Sequence, residues 1–364
     1  MMDKSFVTEI DGLCARRFGW EYPDENAQHA RMVAACMQEE SIPLSIRYAF
    51  FKITMRCNSN CAYCEHAYSR NQGKNTEQPK EEIIKIIRQL AAQGVRACSV
   101  SGGEPLTYEG LEEVIEAFVD SRIEPILLTN GILLPKKLEK LYQAGLRYVI
   151  ISIDSFEAAH YKESRGIRFD GLMKAYQYTV EFKKTHPDLI VNITTVVSKN
   201  NVKDILPLIK KANGEGIGVQ LTPYHNFINK DEDIGVEDLT ELEDVVKEIL
   251  TMKKEGYSVL NTEEYLAFFP EFFKGKRRVP SSGYQCMCGY ENIYIWPDLT
   301  LRSCWSTSLS PIGDLKTQTL EEIWQSDDYR KRRQEMLHCR CEGCWLLCTA
   351  EFTITHQKYL GEQI

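Results

Sequence analysis

From Ile46 to about Pro223 short apolar runs of strand length alternate with stretches of helical period. The runs predict strands at Tyr48–Thr54, Ala97–Ser101, Pro125–Thr129, Tyr148–Ile153, Ile190–Val197 and Val219–Thr222, with helices near 80–93, 109–120, 135–144, 169–184 and 202–214. Each run is rich in β-branched residues and nearly continuous in apolar character, as strands covered on both faces are. Repeated βα units with right-handed crossovers build a parallel sheet that curls on itself. The fold class predicted is α/β, a partial (β/α)6 TIM-like barrel.

The pattern changes on either side of this region. A helical stretch around Ala27–Met37 reads as part of an N-terminal cap over residues 1–45, ahead of a barrel over 46–230. Beyond Asn226 come helices near 237–254 and 262–273, a Pro- and Gly-containing link, a hairpin near 291–304 and a helix near 319–337. These divide into a helical linker, 231–280, and a small hairpin-plus-helix domain, 281–364.

The 364 residues, 43% hydrophobic and 26% charged, are those of a globular chain. The net charge of −8 comes from acids and bases mixed along the sequence, without the basic stripe that a phosphate backbone requires, which argues against nucleic acid as a partner. Acids and the pair Arg16-Arg17 occupy the place of a signal peptide's apolar core, and no segment is apolar for long enough to span a bilayer. The expectation is a cytoplasmic protein with no membrane partner.

Seven of thirteen cysteines lie between Cys286 and Cys348, three more between Cys57 and Cys64, and the long middle holds only Cys98. A disulfide framework staples loops throughout a small fold, whereas clustered cysteines point to metal ligation in a reducing compartment. Cys57, Cys61 and Cys64 are spaced C-x3-C-x2-C directly after the first predicted strand. Three thiolates can hold three irons of a [4Fe–4S] cube and leave the fourth open to an outside ligand. A closed zinc site wants four ligands, for which His66 is poorly spaced.

This motif resembles that of the radical S-adenosylmethionine (SAM) superfamily over roughly residues 46–225. The resemblance implies that SAM chelates the open iron and that reductive cleavage yields a 5′-deoxyadenosyl radical, which abstracts a hydrogen atom from substrate. It implies an electron donor such as flavodoxin or ferredoxin. Ser101-Gly102-Gly103-Glu104-Pro105 is similar to the GGE stretch that meets the methionyl ammonium, which assigns Gly102, Gly103 and Glu104 to SAM. Tyr63 resembles the aromatic beside the adenine, Ser152 or Asp154 the ribose ligand, and Arg165 the arginine that pairs with the SAM carboxylate. Asn130 is a ligand or a turn former. The cysteine loop, Gly102-Gly103-Glu104 and Asn130 fall at the ends of the first three predicted strands, and Ser152 and Asp154 at the end of the fourth, where parallel barrels place their chemistry.

Cys286 and Cys304 flank the predicted hairpin, and Cys341, Cys344 and Cys348 form a C-x2-C-x3-C run. The segment resembles the SPASM and Twitch extensions of radical SAM enzymes, which carry auxiliary [4Fe–4S] clusters. Two departures stand out: Leu299 occupies the place of a usual glycine five residues before the cysteine, and no cysteine follows Cys348. A single auxiliary cluster is expected, with Cys286 and Cys304 and two of Cys341, Cys344 and Cys348 as ligands; Cys288 and Cys339 are spare. A fully protein-bound auxiliary cluster suits electron transfer, and so net oxidation of the substrate. The stretch before Ile46 looks short for a leader-binding domain, which favours a small molecule over the alternative of a ribosomally made peptide. An iron–sulfur electron carrier or sensor is the remaining alternative.

Overall fold

The computed structural model describes residues 4–20, 24–64, 77–226, 234–275, 285–305, 309–337 and 344–360. Cys339, Cys341 and His66 fall outside them, as does most of the 226–235 boundary. Six parallel strands, β1 (Tyr48–Thr54), β2 (Ala97–Gly102), β3 (Glu124–Thr129), β4 (Tyr148–Ser152), β5 (Ile190–Val197) and β6 (Gly218–Pro223), lie in sequence order in one sheet. The sheet does not close, and the α/β partial barrel is as expected. Three further strands, β7 (Asn292–Ile295), β8 (Thr300–Arg302) and β9 (Gly313–Asp314), extend it beyond β1. β7 pairs with β1 in parallel, Tyr48 opposite Asn292 through Phe51 opposite Ile295, and then turns into the antiparallel hairpin.

Strand alternation separates two apolar layers. Ala49, Phe51, Ile53, Cys98, Val100, Leu127, Val149 and Ile151 point outward and bury the helices, among them Ile83, Ile86 and Leu90 of the helix Lys80–Ala92. Tyr48, Phe50, Ala97, Ile126, Tyr148 and Ile150 point inward, where they meet Tyr294, Cys288 and Cys304 from the C-terminal unit.

The N-terminal region holds two helices, Phe6–Phe18 and Asp24–Gln38, of which only the second was expected. The first starts on a Ser5–Thr8 capping box and plugs the lower end of the barrel. Phe6 packs edge-on against Tyr148 and Phe352, Glu9 accepts from the Tyr148 hydroxyl (2.5 Å) and Asn192 Nδ2 (2.6 Å), and Asp11 accepts from the Tyr48 hydroxyl (2.6 Å). The helices expected over 262–273 and 319–337 are each two, Glu263–Ala267 with Phe269–Phe273 and Leu320–Gln325 with Asp327–Leu337. Among the described residues no helix is long and apolar enough to cross a membrane.

Candidate active site

The loop after β1 carries Cys57, Cys61 and Cys64, all half-buried. It has little regular structure of its own and is held from two sides. On one side, Asn60 N and Ala62 N donate to the carbonyls of Arg165 (3.3 Å) and Ser164 (3.0 Å), which end the helix Ala158–Arg165. Carbonyls at a helix C-terminus lack intrahelical partners, so the loop satisfies them as they fix it. On the other side, Gly103 N donates to Thr54 O and Glu104 N to Arg56 O, both at 2.7 Å.

Gly102 and Gly103 are required by that second contact. A Cβ on Gly102 would stand 2.2 Å from the Thr54 carbonyl oxygen, and one on Gly103 would stand 2.3 Å from that of Arg56. Gly102 also has φ +140°, which L side chains rarely adopt. The close approach these glycines allow is made to the end of β1 and the start of the cysteine loop.

Glu104, 1% exposed, accepts from Thr129 Oγ1 (2.6 Å), Leu106 N (3.0 Å) and Asn130 N (2.8 Å). Burial raises its pKa, and these three donors oppose the rise. Asn130 Nδ2 donates in turn to Asn58 Oδ1 (2.6 Å) and Ser59 Oγ (2.8 Å), while its Oδ1 accepts from Ile132 N (3.1 Å). Asn130 thus acts as the turn former after β3 and ties that turn to the cysteine loop.

Asp154 is a hub. Its Oδ2 accepts from the Tyr63 hydroxyl (2.6 Å) and Arg165 Nε (2.7 Å), and its Oδ1 from Arg165 Nη2 (2.7 Å) and Val196 N (3.0 Å). These bonds fill the four lone-pair positions of a carboxylate. Of the two residues read as ribose ligands, Ser152, half-buried at the end of β4, is the one with capacity to spare. The Arg165 fork expected to meet the SAM carboxylate is engaged by Asp154, and the Arg165 guanidinium also lies 5.3 Å from the Tyr63 ring centroid. Tyr63 stands edge-on to Tyr224 at 6.5 Å.

The second set gathers Cys286, Cys288, Cys304, Cys344 and Cys348. Cys288, read as spare, is 1% exposed and interacts with both Cys286 and Cys304; its Sγ donates to Ser303 O (3.4 Å) and lies 3.4 Å from the Tyr294 hydroxyl. Tyr294 donates to the Cys348 carbonyl at 2.9 Å and stacks on Phe50 of β1 with centroids 4.8 Å apart. Burial pushes the Cys348 thiol up to about 12, against the pull of the Tyr294 hydroxyl and of Lys52. Leu299 keeps the turn that glycine would favour: it is 2% exposed with φ +63°.

None of the described cysteines is disulfide-bonded, and among the described residues no three Cys, His, Asp or Glu side chains stand close enough to hold a single metal ion. Thiols alone, in two groups, are the donors that iron–sulfur clusters use, and the site fits such groups in its donor chemistry. Sequence reasoning missed Lys52, Trp296 and Trp305. Lys52 Nζ lies 3.3 Å from the Trp296 ring centroid and 3.8 Å from that of Trp305. A lysine inside an otherwise apolar strand was the available signal.

Residues 51–212 match the family model of the radical SAM superfamily, and residues 286–345 that of SPASM, an iron-sulfur cluster-binding domain. A probable GTP 3′,8-cyclase of Methanococcus maripaludis is 37% identical over 145 residues, 39% of this chain and 48% of that protein, so the chain spans about half the length of such relatives. A GTP 3′,8-cyclase of Clostridium perfringens is 28% identical over 299 residues, 79% of this chain and 90% of that protein. Streptococcus suis SuiB bound to S-adenosylmethionine superposes with a TM-score of 0.64 at 19% identity, over 90% of this chain and 78% of that one. Native anSMEcpe with bound AdoMet and Cp18Cys peptide gives 0.61 at 17%, over 80% and 82%. At these identities the structural likeness shows the fold. With the cysteine loops, the barrel and both family matches in agreement, this chain belongs to the radical SAM superfamily, carries a C-terminal SPASM domain, and has [4Fe–4S] clusters and SAM as its cofactors.

Proposed function

We propose that this chain abstracts a hydrogen atom from a small molecule held in the barrel and completes a net oxidation by passing an electron to an auxiliary cluster. Cys57, Cys61 and Cys64 would hold the cluster that binds SAM, and Cys286, Cys304, Cys344 and Cys348, with Cys341 outside the described residues, supply the candidates for the auxiliary one. When bound, the first cluster and SAM supply the 5′-deoxyadenosyl radical. The chain's own share is positional. Arg165, Asp154 and Tyr63 brace the cysteine loop, Glu104 and Asn130 lock the turn after β3 against it, and Ser152 offers a hydroxyl for a ribose. The helix Phe6–Phe18 plugs the barrel from below.

The observation that carries the reading is the stack of Phe50 on Tyr294, whose hydroxyl reaches the Cys348 carbonyl. One aromatic pair separates the barrel interior from the second set of thiols, a short path for an electron leaving a substrate radical. Reconstitution with iron, sulfide, dithionite and SAM tests it. Wild type should release 5′-deoxyadenosine and Cys57→Ala none. Cys304→Ala should lose about four of about eight irons while still releasing 5′-deoxyadenosine; equal iron in both proteins would sink the auxiliary assignment.

A peptide substrate is the second reading, favoured by the resemblance over most of the chain to SuiB, which has been solved bound to precursor peptide SuiA. The GTP 3′,8-cyclase relatives add a nucleotide to the panel, yet the inner-face residues of β1–β6 contribute one cation, Lys52, where a triphosphate calls for several. Offering sugar alcohols, GTP and short peptides, and following 5′-deoxyadenosine with each, separates the three. Flavodoxin or ferredoxin is the electron donor proposed.

A further inference from the structure

Lys52 sits on the inner face of β1, opposite Ser101 of β2 and two residues before Thr54, which meets Gly102. It is 1% exposed and is clasped by Trp296, which follows β7, and Trp305, which follows Cys304. A barrel lysine is therefore held by two rings from the second cysteine unit. Arg302 also lies over Trp296, at 4.6 Å, but is only half-buried and donates to Leu309 O. Tyr294, which reaches Cys348, stands edge-on to Trp305 at 6.3 Å, so the clasp and the thiols share a wall. An ammonium held on indole faces away from water keeps most of its field, because little around it screens charge.

We propose that Lys52 sets the reduction potential of the auxiliary cluster, holding it high enough to take an electron from a substrate radical in the barrel. The inference rests on the second cysteine set carrying a cluster. Thiolate ligands load such a group with negative charge, and reduction adds one more; a buried cation beside it favours the reduced form and raises the potential. In the step served, the substrate radical loses one electron, the cluster gains it, and a proton leaves the adjoining hydroxyl or amine for water. An oxidised electron-carrier protein then removes the electron.

The test is a redox titration followed by electron paramagnetic resonance on the full chain with Cys57, Cys61 and Cys64 all changed to Ala, so that the auxiliary signal is seen alone. Lys52→Met and Lys52→Gln should each move the midpoint to more negative potential by at least tenfold in the reduction equilibrium, about 59 mV for a one-electron couple. Lys52→Arg should restore most of the shift, with iron content equal throughout. An unchanged midpoint in both neutral variants overturns the proposal. A triple-alanine protein that binds no iron overturns the auxiliary reading, and this inference with it.

Discussion

Arg165 presents Nε and Nη2 to the two oxygens of Asp154 at 2.7 Å each, and the carbonyl of the same arginine accepts from Asn60 in the cysteine loop. One residue thus ties the end of β4 to the cluster loop through both its side chain and its backbone. The pair is buried, with side chains 9% and 1% exposed. Asp154→Asn would leave the guanidinium without a counter-charge, and breaking a buried pair on one side costs about 3–5 kcal/mol. The expected result is a lower denaturant midpoint and a slower release of 5′-deoxyadenosine, measured on the reconstituted protein.

Gly103→Ala should act on the loop with little effect elsewhere. The added methyl would collide with the Arg56 carbonyl and force the cysteine loop off β2. Iron content should fall from about eight to about four atoms per chain, with 5′-deoxyadenosine lost. Full iron with normal SAM cleavage would show that the loop tolerates the displacement.

Leu299→Gly sets two effects against each other. Glycine would relieve the left-handed backbone, worth about 1–2 kcal/mol, while removal of a buried leucine costs about 2–5 kcal/mol. Net destabilisation of about 1–3 kcal/mol is expected, read as a fall in Tm. A rise in Tm would mean that the leucine packs less well than its burial indicates.

His29 supplies a pH dependence. Burial foremost, then the neighbouring His356 and Arg47, hold its pKa well below 6.5. The folded form keeps it neutral while the unfolded chain protonates near 6.5, so its contribution is present above that pH and is lost as pH falls. By pH 5.5 the loss from this group should reach about 1.4 kcal/mol. His29→Gln should flatten that part of the curve of denaturant midpoint against pH between 7 and 5.5; an unchanged slope would assign the acid sensitivity to other groups.

The strands were legible because each is a near-continuous apolar run. β1 and β5 have the predicted limits, and the other four differ by a residue or two at their ends. The helix Phe6–Phe18 is not among the predicted elements although Phe6, Val7, Ile10, Leu13 and Cys14 are spaced for one buried face, because Glu9, Asp11 and Arg16-Arg17 interrupt its apolar period. The single helix expected over 319–337 breaks at Ser326, whose hydroxyl accepts from Tyr329 N and starts a second helix. Ser-x-x before a helical run was a readable start signal.

In the site, cysteine spacing and the Gly102-Gly103-Glu104 stretch could be read because their chemistry is local. The Asp154 hub could not, because its donors arrive from the loop after β1, from a helix end and from β5. The clasp on Lys52 is of the same kind. It joins residues that only the added strand β7 brings side by side, and nothing in a linear pattern marks that edge of the sheet.

The pairing of Tyr48–Phe51 with Asn292–Ile295 has a mechanical consequence. A C-terminal unit joined through a continuous ladder of backbone hydrogen bonds is a cantilever built into the barrel wall. It cannot swing open as a lid without unzipping that ladder. Rigid coupling to the barrel wall along β1 is therefore what this pairing gives the second group of thiols.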